Sequence, residues 1–325
     1  MNLVRRSPLA NLLSLAVIIA AATLRAQLNP YHAETFADTP AFFGNMLAQW
    51  QESHPVAALC TACIVWFAAG WVTGLVVRVR ELYFVRTTIT IPIYGITACG
   101  IFCAHDFLAA AIASLLFAFA MRACFDSFRD GYGFSHIFFG SMCLGLLPML
   151  YAPAVTLLLL MPLAVMLFKR SAREAIVAVA GLIFAPLAVC YINWGAGGQF
   201  LQPVVQSIEA LTLVSGYRFF GAVGAGAAVM SCVLLAMVLG AAFISSANVY
   251  SMNSRARFIT LYNLCAFAVA VSTLALPSST ASAFGLIAVP TAVAIPAMLM
   301  QIRSQAANVI YGVLVILFIL HLFIG

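Results

Sequence analysis

Residues 154–168, AVTLLLLMPLAVMLF, and 175–194, AIVAVAGLIFAPLAVCYINW, are two apolar runs joined by one charged turn, Lys169-Arg170-Ser171-Ala172-Arg173-Glu174. About 20 apolar residues in helical form span the roughly 30 Å hydrocarbon core of a bilayer. The short turn sends the chain back antiparallel and fixes its basic residues at one membrane surface. Short alternating segments, the mark of a membrane β-barrel, are absent here and elsewhere in the chain.

Working outward from this hairpin, the same reading recurs almost end to end. The spans expected are 9–24, 56–77, 87–104, 107–121, 134–151, 154–168, 175–194, 219–243, 259–277, 283–302 and 309–324, about eleven in all. The composition agrees, with 65% apolar residues and 7% charged among 325, and a mean hydropathy of +1.09. A soluble domain has no means of burying so much apolar surface. The chain is expected to be a single all-α integral-membrane domain, 1–325. It comprises a core over 1–194, with an outer loop at 25–55, and C-terminal helices over 219–325.

Alternate threading places Arg5, Arg6, Arg78, Arg80, Arg86, Arg122, Arg129, Lys169, Arg170, Arg173, Arg255, Arg257 and Arg303 on one side, leaving Arg25 and Arg218 opposite. The positive-inside rule makes the basic side cytoplasmic, with the N-terminus inside and the C-terminus outside. The inner side then carries 13 basic and 4 acidic residues, +9, and the outer side 2 basic and 5 acidic, −3. The overall +6 therefore reflects orientation and contact with anionic lipid, not a nucleic-acid partner. The first span begins with basic residues, but Thr23-Leu24-Arg25-Ala26 is a poor cleavage context, so it is read as an anchor.

Within the spans the polar inventory is thin. Nine cysteines fall mostly inside apolar runs, and the Cys60-Thr-Ala-Cys63 pair reads as small packing residues, with no disulfide expected. Gly70 and Gly74 form a GxxxG, and residues 221–228 are dense in small side chains, both suited to close helix packing within the bundle. Pro148, Pro162, Pro186, Pro290 and Pro296 are candidate kinks, above all the last pair. No Asp, Glu, Lys or Arg lies near the middle of a span, and no inverted repeat is visible, which argues against an ion-coupled transporter.

Chemistry therefore concentrates outside. The stretch 25–55 carries His32, Glu34, Asp38, Glu52 and His54, and the turn between the third and fourth spans adds His105-Asp106. Carboxylates and imidazoles at one membrane face suit a general base or metal ligands, and equally the ordinary decoration of a solvated loop. Asp38 precedes Pro40 and the amphipathic run 41–50, which reads as a short interfacial helix with Asp38 or Thr39 near its N-cap. On the inner side, Arg122, Asp126, Arg129 and Asp130 have the spacing of local ion pairs on a helix end.

An acid in the first outer loop before an interfacial helix, a second acid in the next outer loop and about eleven spans together resemble the GT-C fold of polyprenyl-phosphate-sugar glycosyltransferases. The middle of the chain adds Gly133-Phe134 through Gly140 and Gly145, then Tyr151-Ala-Pro153, the basic Phe168–Glu174 turn, and Gly181 through Pro186. This block, roughly Ile91 to Trp194, is more closely similar to an integral-membrane family of Bacteroidota of unknown function. That family's members have similar length and the same glycine-bearing span, Tyr-x-Pro turn and basic-Ser-x-Arg-Glu turn.

The GT-C resemblance implies a bacterial inner-membrane enzyme that transfers a sugar from a polyprenyl-phosphate donor on the outer face. Asp38 would be the base acting on the acceptor hydroxyl, with Glu34 its competitor. Asp106 would orient the acceptor or a divalent cation, with His105 as a further candidate ligand. Arg218 would neutralise the lipid phosphate, or else snorkel at the interface. The chain has Asp38-Thr39 where many such enzymes have adjacent acids, and it lacks their large outer soluble domain. A non-catalytic component of an envelope-assembly or secretion complex, bound to a protein partner, is the second expectation, and a transporter or lipid flippase the third.

Overall fold

The computed structural model describes residues 8–28, 41–79, 88–98, 107–128, 132–212, 225–247, 253–280 and 282–324. Among them every regular element is helical. In chain order these are α1 (Pro8–Leu28), α2 (Phe42–Ser53), α3 (Pro55–Val79), α4 (Thr90–Ala98), α5 (Phe107–Ser127) and α6 (Phe134–Leu150). A 3₁₀ helix (Ala152–Leu159) runs into α7 (Leu160–Leu167), followed by α8 (Ala172–Gly195), α9 (Gln202–Thr212), α10 (Ala225–Ala247), α11 (Ser254–Ser272), α12 (Ala283–Gln301) and α13 (Ser304–Ile324).

A helix overlaps each expected span, with the nine-residue α4 the only helix described within 87–104, and seven helices are long and apolar enough to cross a membrane. These are α1, α3, α5, α8, α10, α11 and α12, while α6, the 3₁₀–α7 segment and α13 are apolar but shorter in their uninterrupted apolar stretch. The architecture is that of a multi-pass helical membrane protein.

The 3₁₀–α7 segment shows how a short apolar run gains length. Sixteen residues of α-helix would reach only about 24 Å, but 3₁₀ geometry rises about 2 Å per residue, so this segment reaches roughly 28 Å. Pro153 near the 3₁₀ start sits where a missing N–H costs little, and Pro162 lies just past the junction of the 3₁₀ and α segments. The other helices named for kinking, α6 with Pro148, α8 with Pro186 and α12 with Pro290 and Pro296, run unbroken through their prolines.

The centre of the bundle is built on α4, α5 and α12. All nine described residues of α4 are buried, and 83% of the apolar window of α12 is buried. The Tyr94 hydroxyl lies 2.6 Å from Ser114 Oγ, which donates to the Gly285 carbonyl at 2.8 Å, so one hydroxyl pair ties the three helices. Gly70 and Gly74 serve this centre: a Cβ at Gly70 would meet Leu15 and Tyr94, and one at Gly74 would meet Ile91 at 2.5 Å. The GxxxG therefore packs within the bundle, as expected.

Glycines also explain the tight α6–α8 pair. A Cβ on Gly145 would lie 2.6 Å from the Leu182 carbonyl oxygen, and one on Gly181 would lie 2.7 Å from Ser141 Cβ and 2.8 Å from the Phe138 carbonyl oxygen. Each glycine admits the other helix's backbone. Gly145→Val is expected to force the helices apart and cost about 1–3 kcal/mol by overpacking, read as a lower melting temperature of the purified protein. An unchanged melting temperature would mean that this contact is not tight.

Contacts sort the helix ends into two groups. At one end the close of α5, the start of α6, the close of α7 and the starts of α8 and α11 meet through Ser127, Gly133, Arg170, Glu174 and Arg255. At the other, α2 and α9 lie with the start of α5, the close of α6, the 3₁₀ start and the link from α11 to α12. Among the described cations, Arg122, Lys169, Arg170, Arg173, Arg255 and Arg257 belong to the first group, the basic end.

Candidate functional site

The charged turn that decided the fold is a closed structural clasp. Lys169 adopts a left-handed conformation (φ 50°) after α7, and the Arg170 N–H reaches back to the Val165 carbonyl at 2.9 Å. Ser171 then caps α8 in a capping box with Glu174. Glu174 is 2% exposed. Its Oε1 accepts from the Gly133 N–H at 2.8 Å and pairs with Arg170 at 3.4 Å; its Oε2 accepts from the Ser171 N–H at 3.0 Å and the Ser171 hydroxyl at 3.1 Å. Arg170 also donates to the Ser127 carbonyl, and Arg255 donates to the Phe128 carbonyl with its guanidinium 5.8 Å from the centre of the Phe128 ring. Phe128 packs on Phe168 and Phe258, and Phe168 on Tyr262. A fully partnered buried carboxylate of this kind holds helices together and leaves no lone pair for chemistry. Beside it the Arg122–Asp126 pair, 3.9 Å apart, forms as the spacing predicted.

The opposite end is where the outer-loop candidates attach. Asp38, Glu34, His105, Asp106 and Arg218 all lie outside the described residues, so their anchors carry the argument. Asp38 precedes Ala41 by three residues, and Asp106 directly precedes α5. Ala41 is fully buried against Ala152 and Ala210. The Gln51 side chain, one turn from the end of α2, accepts from the Leu108 N–H at 3.4 Å. The helix α2 is thus fixed at both ends, with the anchor of Asp38 at one and that of Asp106 at the other, about 15 Å apart along its axis.

The run 41–50, expected to form an interfacial helix, is helical as α2, with Ala41 at its N-cap. Ala41 itself makes no side-chain cap bond, and Asp38 and Thr39, expected near the N-cap, lie outside the described residues. The chain enters the helix extended at Ala41 (ψ 166°), and Ala41 is held by burial. Gly44, one turn later, sits so close to the α6 terminus that a Cβ would lie 2.8 Å from the Leu150 carbonyl oxygen.

Two features of this end were not anticipated. The helix α9 falls in the stretch between the expected spans 175–194 and 219–243, its 11 residues being too short to register as a span. The second is a buried hydroxyl turn between α11 and α12. Ser278, Ser279, Thr280 and Ser282 are all buried, and the Thr280 N–H donates to the Tyr151 hydroxyl at 2.9 Å. Tyr151 belongs to the Tyr-x-Pro turn, whose next residue is the Ala152 that receives Ala41. Ser278 Oγ is buried with no partner among the described residues. The signal was present as a run of hydroxyl residues, Ser278-Ser279-Thr280, between two spans.

A separate recess lies between α10, α11 and α12, lined by Ser245, Thr260, Asn263, Val293 and Ala297 among others. Asn263 Nδ2 donates to the Pro290 carbonyl at 2.9 Å, and its buried Oδ1 has no partner among the described residues. The enclosed space is about that of one water molecule, far below what a lipid headgroup requires. The described cysteines Cys60, Cys63, Cys124, Cys143, Cys190, Cys232 and Cys265 are free thiols, and no group of three or more metal-ligating side chains occurs among the described residues.

Compared with known proteins, the chain matches no family model, no curated protein and no solved structure. The residues above are therefore the sole basis for a functional reading.

Proposed function

We propose that this protein is a GT-C-like membrane glycosyltransferase whose working face is the end bearing α2 and α9. The observation that carries the reading is the seat of Ala41 on Ala152, next to the Tyr151–Thr280 hydroxyl turn. It tethers the loop bearing Glu34 and Asp38 to a fixed polar patch at the edge of the apolar bundle. That is where a donor with a membrane-bound tail and a polar sugar phosphate would present its reacting carbon.

In this reading Asp38 removes the proton of the acceptor hydroxyl. The acceptor oxygen bonds to the anomeric carbon from the face opposite the leaving group. The bond from that carbon to the phosphate oxygen breaks, and the polyprenyl phosphate departs with the electron pair, inverting the configuration. Asp106 orients the acceptor or holds a divalent cation with His105, and Arg218 meets the phosphate charge through paired hydrogen bonds. Sidedness follows the positive-inside rule, with the Arg170–Glu174 end cytoplasmic and about eleven crossings of the inner membrane.

Native mass spectrometry of the gently solubilised protein tests the donor. Wild type is expected to retain a polyprenyl-phosphate species that Arg218→Ala loses. A protein that retains only bulk phospholipid together with another protein subunit would replace this reading with that of a non-catalytic envelope-complex component.

A further inference from the structure

The helix α9 carries three distinct faces. At about 100° per residue, Pro203, Ser207 and Ala210 share the side packed on the bundle, and all three are buried. Gln202, Gln206 and Glu209 fall along one flank. Val204, Ile208 and Leu211 fall along the other, and Leu201 and Val205 point furthest from the bundle. Leu201 is 59% exposed and Ile208 57% exposed, an arrangement unfavourable to a helix washed by water on every free side.

The path of α9 explains it. After α8 the chain turns at Gly197 (φ 91°), where Asn193 Nδ2 donates to the Gln199 carbonyl at 2.8 Å. From there α9 touches the close of α8, the close of α6, the 3₁₀ start and the start of α2, so it runs across helix ends and not along them. Phe200 packs edge-on against Tyr191 at 5.1 Å, which joins the apolar flank of α9 to the outward stripe of α8, Ile183, Leu187 and Tyr191. Because α8 is long and apolar enough to cross a membrane, its outward stripe faces acyl chains, and the flank of α9 continues that surface around a corner.

We infer that α9 lies in the plane of the bilayer surface, with Leu201, Val205 and Ile208 among the upper acyl chains and Gln202, Gln206 and Glu209 among headgroups and water. Its partner is bilayer lipid. Small residues turned to the protein and large apolar ones turned outward suit an interfacial helix docked on a membrane domain. Since Ala210 also seats Ala41, α9 sets the level of the α2 entrance at the lipid surface. This inference holds whether or not the chain transfers a sugar.

The test is photo-crosslinking in the full chain, reconstituted in vesicles of phosphatidylethanolamine and phosphatidylglycerol, with benzoylphenylalanine placed singly at Ile183, Gln206 and Ile208. Ile183 on α8 sets the yield for a lipid-facing site. Ile208 is expected to give lipid adducts, scored by intact mass, within about twofold of Ile183, and Gln206 at least about fivefold fewer. Lipid adducts at neither α9 position, equal adducts at both, or crosslinking of Ile208 to a second protein chain would each overturn the assignment.

Discussion

Glu174→Ala is expected to destabilise the fold strongly. Removing this carboxylate strips an acceptor from the Gly133 N–H, the Ser171 N–H and the Ser171 hydroxyl, and leaves the Arg170 guanidinium without its counter-charge at a site where the two side chains are 8% and 3% exposed. Breaking a buried ion pair by deleting one partner costs about 3–5 kcal/mol, a large share of the stability of any domain. The purified variant should melt on the order of 10 °C lower than wild type, or fail to elute as a monodisperse peak. Glu174→Gln keeps one carbonyl for these donors and is expected to fall between the two. Ser171→Ala, which removes only the cap, should cost about 1 kcal/mol. A Glu174→Ala variant that melts like wild type would show that the clasp does not hold the α7–α8 turn to the α5–α6 connection.

Asp38→Asn is expected to act in the opposite way, leaving the fold intact and removing activity. Ala41 is seated by its own burial against Ala152 and Ala210, an apolar contact that an Asp-to-Asn change three residues earlier is expected to leave in place. A positioned general base contributes about 10²- to 10⁴-fold to a rate, and sugar transfer from a polyprenyl-phosphate donor should fall by that amount at unchanged melting temperature. Glu34→Gln distinguishes the competing acid: a greater loss there moves the base to Glu34. Full transfer activity in both variants would remove Asp38 and Glu34 from the role of base, and absence of transfer by the wild type would replace the enzymatic reading with that of a scaffold.

Much of the helical layout was legible because apolar run length is a direct physical requirement of the bilayer core. The charged turn was legible twice over, as Ser171-x-x-Glu174 is also a capping-box spacing. The burial of Glu174 was not, since its partner Gly133 lies 41 residues away in the chain. The 3₁₀ stretch escaped notice because composition specifies apolarity and not rise per residue. The helix α9 escaped because three-sided patterning over 11 residues resembles a loop when only span length is scanned. At the candidate site the helix α2 was legible from its amphipathic run. The seat of its N-cap residue was not, since Ala41 is buried against Ala152 and Ala210, residues far away in the chain. The hydroxyl turn at Ser278–Ser282 was passed over as a short connection, its link to Tyr151 spanning 129 residues. Asp38, Glu34, His105, Asp106 and Arg218 rest on sequence alone, outside the described residues.

Sidedness is the claim on which the rest depends, and protease access measures it directly. A cleavage sequence inserted at Gly197, where the space around the residue is open, reports the end bearing α2 and α9. A second, inserted at the exposed Arg303 between α12 and α13, reports the basic end. In right-side-out spheroplasts, added protease is expected to cut the Gly197 insertion and spare the Arg303 insertion until the cells are lysed. Cleavage in the reverse order would place the candidate acids in the cytoplasm, and cleavage of both from outside would contradict the two-ended arrangement itself.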